Sequence, residues 1–225
     1  ALKAVEPGSD ARPWLQEIKT AALQGAQLAR RLVLFAAGGE GTTGPVELER
    51  ALHHSAKLLR TLMGEEVVLR VEPGDSPLLV SASLGHVEQV LLNLGMNARD
   101  AIVGGGEVTI RSVRGRIEPG DRLPPGDCAV LSITDTGGGG TDEAQQRALE
   151  PFFSVSPGDS GTGLALSTAD AIIHRLGGDM TVLGTPGVGT TVTIRLPLAE
   201  PEPEGVEASL RGLRGAVLVV EDDAL

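Results

Sequence analysis

Apolar residues recur along this chain with two different periods, and the alternation between them outlines a fold. Between Trp14 and Phe35, Ile18, Ala22, Gly25, Ala29 and Leu32 follow one another at alternating four- and three-residue spacing. That is a heptad-like seam suited to a helical hairpin or bundle. Helical patterns also run over Val46–Met63, Gly85–Val103 and Leu164–Arg175, with a short one at Asp142–Leu149. Between them lie β-type runs at Glu66–Val71, Leu78–Ser81, Glu107–Val113 and Ala129–Asp135, and a closing hairpin over 180–196. Helices interleaved with an antiparallel-leaning sheet predict an α+β fold, a two-layer α/β sandwich with its helices on one face.

Glycine and proline divide the rest. Residues 37–44 (Ala-Gly-Gly-Glu-Gly-Thr-Thr-Gly) form a flexible hinge, 151–161 a loop, and 200–214 an acidic, proline-rich linker that should stay extended. These breaks give an incomplete hairpin helix over 1–36, a main domain over 45–199, and a terminal apolar strand over 215–225 ending in Glu221, Asp222 and Asp223.

Three clusters within the main domain carry chemistry. Asn93, Asn97 and Asp100 share one helix face at i, i+4 and i+7. Asp135-Thr-Gly-Gly-Gly139 puts a carboxylate and a glycine turn at the end of the strand CAVLSITD. Gly161-Thr-Gly-Leu164 precedes a helix, where free backbone N–H groups can receive phosphate. Amide oxygens, an acid after a strand and glycines before a helix together describe a nucleotide site.

In this order the clusters resemble the ATP-binding domain of bacterial sensor histidine kinases. HVEQVLLNLGMNARDAI resembles the family's asparagine box, DTGGGG and GTGLALS its two glycine boxes, EPFFS its phenylalanine box, and GTPGVGTTVTIRLPL its last hairpin. One such motif is weak evidence, and four in order at the right spacing are strong. The resemblance implies that Asp135 accepts a hydrogen bond from the adenine amino group, while Gly137 and Gly139 let the backbone approach the nucleotide. Thr191 would help hold the base through water. Asn97 would be the magnesium ligand, with Asn93 and Asp100 on the same face. Gly161, Thr162, Gly163 and Leu164 would bind phosphates, and Phe153 with Phe152 would anchor the lid at 154–160. Implied cofactors are ATP and Mg2+.

The match also departs from the family at particular positions. Gly140 stands where a bulky apolar residue is usual, Ala165 where glycine is common, and Ser156 where related short lids carry lysine. Asn93 occupies the position of a water-activating glutamate in the ATP-hydrolysing relatives, and an amide cannot act as that base. Of the four histidines, His53-His54 is followed by serine, and His86 and His174 fall in helices of the main domain. None has the context of a phosphoacceptor, which is therefore expected outside this chain. The N-terminal seam resembles the second dimerisation helix and AVLVVEDD the first strand of a receiver domain. The implied protein is a cytoplasmic hybrid kinase, homodimeric when intact, whose partners are its own dimerisation helices and a receiver domain or response regulator. Alternatives are a degenerate nucleotide-binding scaffold and, opposed by Asn93, a gyrase-like ATPase.

Composition fits that assignment. The chain has 225 residues with a net charge of −11, which argues against nucleic-acid or anionic membrane contacts. Aromatics are 2% with no tyrosine, so a base-stacking surface for single strands is not expected. Cys128 is the only cysteine, compatible with a reducing compartment and a buried thiol. No apolar run reaches bilayer-spanning length, so any membrane sensor is expected outside this segment.

Overall fold

The structure, a computed structural model, describes residues 14, 44–74, 77–151, 153 and 163–199. Apart from Trp14, the N-terminal seam lies outside the described residues, as do most of the hinge, the lid, the acidic linker and the terminal strand.

The elements run β1 (Gly44–Glu47), α1 (Leu48–Met63), β2 (Val67–Glu72), β3 (Leu79–Ala82), α2 (Leu84–Asp100), β4 (Gly106–Ile117), β5 (Gly126–Asp135), α3 (Asp142–Arg147), α4 (Ala165–Arg175), β6 (Asp179–Thr185) and β7 (Gly189–Pro197). The main sheet has five strands in the order β2-β4-β5-β7-β6, with β2 parallel to β4 and the other pairs antiparallel. Strands β1 and β3 form a separate antiparallel pair, and β3 also bridges Leu198 through Val80.

Each helix shows why it packs where it does. In α1, Leu48, Ala51, Leu52, Ser55, Ala56, Leu59 and Met63 are buried, a stripe at three- and four-residue steps. Gly64, at φ 77°, stops that helix in a conformation that favours glycine. In α2, Ser83 caps the start by accepting from the His86 N–H, and Val87, Val90, Leu91, Leu94 and Ala98 face inward. A Cβ on Gly95 would lie 2.7 Å from Leu59 Cδ2, so the missing side chain is what allows α1 and α2 their close contact.

The sheet meets this layer with its apolar face. Val108 and Ile110 on β4, Ala129, Leu131 and Ile133 on β5, and Val192, Ile194 and Leu196 on β7 join the helices in one core. The result is the mixed α/β sandwich expected from the sequence.

Boundaries shift in three places. The helix expected from Val46 starts at Leu48, because Gly44–Glu47 instead pairs with β3. Strand β4 continues to Ile117 and β5 begins at Gly126, in an unbroken register from Val108↔Asp135 to Ile117↔Gly126. The charged stretch at 114–118 hides that extension from a pattern based on apolar residues.

Candidate functional site

Asp135 is the last residue of β5. Ala129, Leu131 and Ile133 put odd-numbered residues of this strand on the core face, and Asp135 follows that alternation to 5% exposure. Its Oδ1 accepts from the Gly137 N–H at 2.8 Å and the Thr190 N–H at 3.2 Å. Burial pushes the carboxyl above its ordinary value, and these two N–H groups counter only part of that rise. Both backbone donors converge on Oδ1, and among the described residues Oδ2 has no hydrogen-bond partner.

The glycine turn beside it is held from two sides. Gly138 donates to the Ala101 carbonyl at 3.2 Å, just past the end of α2, and accepts from the Gly187 N–H at 2.9 Å in the β6–β7 turn. Side chains would not fit here. A Cβ on Gly137 would lie 2.4 Å from Ala101 O, and one on Gly139 (φ +65°) 2.1 Å from Thr185 O. On the hairpin side, a Cβ on Gly189 (φ +141°) would lie 1.9 Å from Asp135 O. The backbone of three separate segments, the end of α2, residues 135–139 and the β6–β7 hairpin, therefore meets closely around one acid.

The C-terminal end of helix α2 reaches the same region through the Ala101 carbonyl. Asn93 and Asn97 are half-buried, and the Asn97 carbonyl accepts at 3.2 Å from the N–H of Ala101, the residue whose own carbonyl holds the turn. Asp100 is exposed and takes the Arg99 Nε at 2.9 Å, while Arg99 Nη1 donates to Leu62 O at 3.1 Å.

Other expected residues fall less evenly. Leu164 is the N-cap of α4, and its carbonyl accepts from Thr168 N–H and Ser167 Oγ, with Gly163 before it at φ +63°. Gly161 and Thr162 lie outside the described residues. Phe153 is half-buried with the Arg147 guanidinium 4.5 Å from its ring centre. Thr191 does not join Asp135. It pairs with Thr134, and their hydroxyls lie 3.0 Å apart on the opposite face of the sheet. Thr190 shares the core-side parity of Val192 and Ile194, and its N–H reaches the acid.

Sequence reasoning missed Thr190, the Ala101 carbonyl, Gly187 and Gly189. The alternation of Val192, Ile194 and Leu196 was the available signal for Thr190; the carbonyl contact has none. Among the described residues no group of three or more His, Cys, Asp or Glu could hold a metal. His53, His54 and His174 are exposed and His86 is half-buried. Cys128 is buried, and burial pushes its thiol up, which suits an unreactive packing role. No helix among the described residues is long and apolar enough to cross a membrane.

The chain is similar to known proteins. The family described as "Histidine kinase-, DNA gyrase B-, and HSP90-like ATPase" matches residues 83–200. The sensor kinase CckA of Brucella abortus is 32% identical over 95% of this chain, which spans 24% of that protein. The two-component sensor PprA of Pseudomonas aeruginosa is 36% identical over 57% of the chain, which here spans 13% of the relative. Among solved structures, a mycobacterial sensor histidine kinase, MprB, aligns with 71% of this chain and all of its own at 25% identity and a TM-score of 0.57. Full-length ShkA in complex with AMPPNP aligns with 89% of this chain and 41% of its own at 24% identity and a TM-score of 0.58, a likeness of fold alone.

Proposed function

The chain belongs to the histidine kinase-, DNA gyrase B- and HSP90-like ATPase family, with a catalytic domain of the histidine-kinase type, and we propose that it binds Mg-ATP for phosphoryl transfer in a two-component hybrid kinase. The observation that carries this is the buried Asp135, with Oδ1 committed to two backbone N–H groups and Oδ2 without a partner among the described residues. A fixed, buried acceptor at the end of β5 suits the exocyclic N–H of adenine and opposes guanine, which offers an oxygen there. The glycine cradle, which a Cβ at 137, 139 or 189 would fill, suits close approach of a nucleotide.

Bound ATP would supply the transferable γ-phosphoryl group, with Mg2+ balancing phosphate charge. Asn97 would offer the metal one amide oxygen, in keeping with an ion that keeps several waters and phosphate oxygens. Asn93 and Asp100 would line the same face. Gly161, Thr162, Gly163 and Leu164 would present N–H groups to the phosphates at the start of α4. With an amide at Asn93, no carboxylate activates water there, so transfer to a histidine is favoured over hydrolysis. That histidine would lie outside this chain, on dimerisation helices, and a receiver domain or response regulator would take the phosphoryl group next.

Calorimetric titration with Mg-ATP and Mg-GTP tests the proposal. Binding of ATP in clear preference to GTP, with little steady phosphate release, is expected. Absence of ATP binding would favour a degenerate scaffold, and rapid phosphate release would favour a gyrase-like ATPase.

A further inference from the structure

The glycine turn has a third support that the nucleotide chemistry does not use. Strand β6 is the last strand of the main sheet, so among the described residues one side of its backbone has no partner strand. At its end, Gly184 packs against the turn so closely that a Cβ there would lie 2.9 Å from Gly140 N. Gln145, half-buried on α3, spans this contact. Its Nε2 donates to Gly184 O at 2.8 Å and to Gly140 O at 3.3 Å. Both partners are carbonyls, so only the amino side of the carboxamide fits, and its orientation is fixed by chemistry.

We infer that Gln145 is a positioning residue, clamping the glycine turn against the β6 edge and thereby setting nucleotide affinity. The second half of the inference rests on the nucleotide site proposed above. Among the described residues, no side chain packs tightly into the space at 140. A Cβ on Gly140 would meet only Ala144 Cβ, at an ordinary 3.6 Å. The turn thus has no side chain of its own to wedge it on the α3 side, and the glutamine supplies a hydrogen-bonded tie in place of packing. Thr141, which caps α3 by accepting from the Ala144 N–H at 3.3 Å, fixes the short helix that carries Gln145.

Two variants separate the donor from the bulk of the side chain. Gln145→Glu keeps the size but turns an acceptor toward two carbonyl oxygens, whereas Gln145→Ala removes the tie. Amide hydrogen exchange without nucleotide should quicken at Gly138 and Gly187 in both variants, more so in Gln145→Glu. Mg-ATP affinity should fall about 3- to 10-fold for Gln145→Ala and further for Gln145→Glu. A packing role alone would leave the isosteric glutamate close to wild type. Wild-type exchange and affinity in Gln145→Glu would therefore overturn the inference, and if that variant fails to fold, the same result in Gln145→Ala does so. A wild-type chain that binds no ATP would remove the nucleotide reading, and with it the link to affinity. The exchange rates would then decide alone whether Gln145 holds the turn.

Discussion

Replacing Asp135 by asparagine should weaken nucleotide binding and stabilise the empty protein, two effects of opposite sign from one atom. Asparagine keeps an oxygen for the Gly137 and Thr190 N–H groups, so the local backbone should hold. What changes is the second position, where a carboxylate oxygen becomes an N–H donor facing another donor on adenine. A hydrogen bond to a charged group contributes about 1.5–3 kcal/mol, so affinity for Mg-ATP should fall about 10- to 150-fold. The stability effect follows from linkage. Burial raises the Asp135 pKa above its ordinary 3.8, so the folded state holds the proton more tightly than the unfolded one. Stability therefore falls as pH rises from about 3.8 through the raised value, and above it the whole desolvation cost is present. Asparagine has no such cost. Thermal unfolding of both proteins without ATP, from pH 4 to 8, should show the variant more stable at neutral pH, with the advantage fading toward acid. Calorimetry over the same range should show wild-type affinity falling as the acid protonates. A variant that binds Mg-ATP within twofold of wild type, or melts lower at neutral pH, would refute the reasoning.

Further substitutions test the glycine turn and the packing that carries it. In urea titrations, Gly139→Ala and Gly189→Ala should each lose about 1–3 kcal/mol to backbone strain alone, with the clashes of 2.1 and 1.9 Å adding to it; Gly140→Ala should gain about 0.4–1 kcal/mol. Gly95→Ala should cost about 1–3 kcal/mol by overpacking Leu59, Leu59→Ala about 2–5 kcal/mol, and the double variant less than their sum. Arg195 holds Asp179, which is 7% exposed, through bonds of 3.0 and 2.6 Å. Arg195→Met should lower stability at pH 7 by about 1–3 kcal/mol, read by thermal unfolding, because it leaves that carboxylate without its partner.

The legible parts of the sequence were those where one period dominates. Buried stripes such as Leu48–Met63 and Val87–Ala98 mark helices because no strand would put those residues on one side. The DTGGGG turn was legible as well, since only glycine tolerates the approach of Thr185 and Ala101 carbonyls. Strand β1 was not, as four residues led by Gly-Pro look like the tail of a hinge until β3 pairs with them. Thr190 and Thr191 show the finest failure. Neighbouring strand residues face opposite sides, so an error of one position moves a residue from the acid to the far face of the sheet. A motif aligned by its glycines cannot detect that error, whereas the even-numbered run Val192, Ile194 and Leu196 could.

Charge explains why so much of this site is backbone. The chain carries a net charge of −11, and residues 154–162, where a lid would supply cations, contain neither lysine nor arginine. The arginines on the two helices bordering the turn are already engaged: Arg99 by Asp100 and the Leu62 carbonyl, Arg147 by Glu150 and the Phe153 ring. Phosphate charge would then fall to a metal and to backbone N–H groups, which act only over short distances and only when aimed. Side chains can adjust to a ligand by changing rotamer, but a peptide N–H moves only with its chain. The ties of Gly138 to Ala101 and Gly187, and of Gln145 to Gly140 and Gly184, matter for that reason. They would hold one edge of the proposed site in place, where residues 154–162 offer no lysine or arginine to do so.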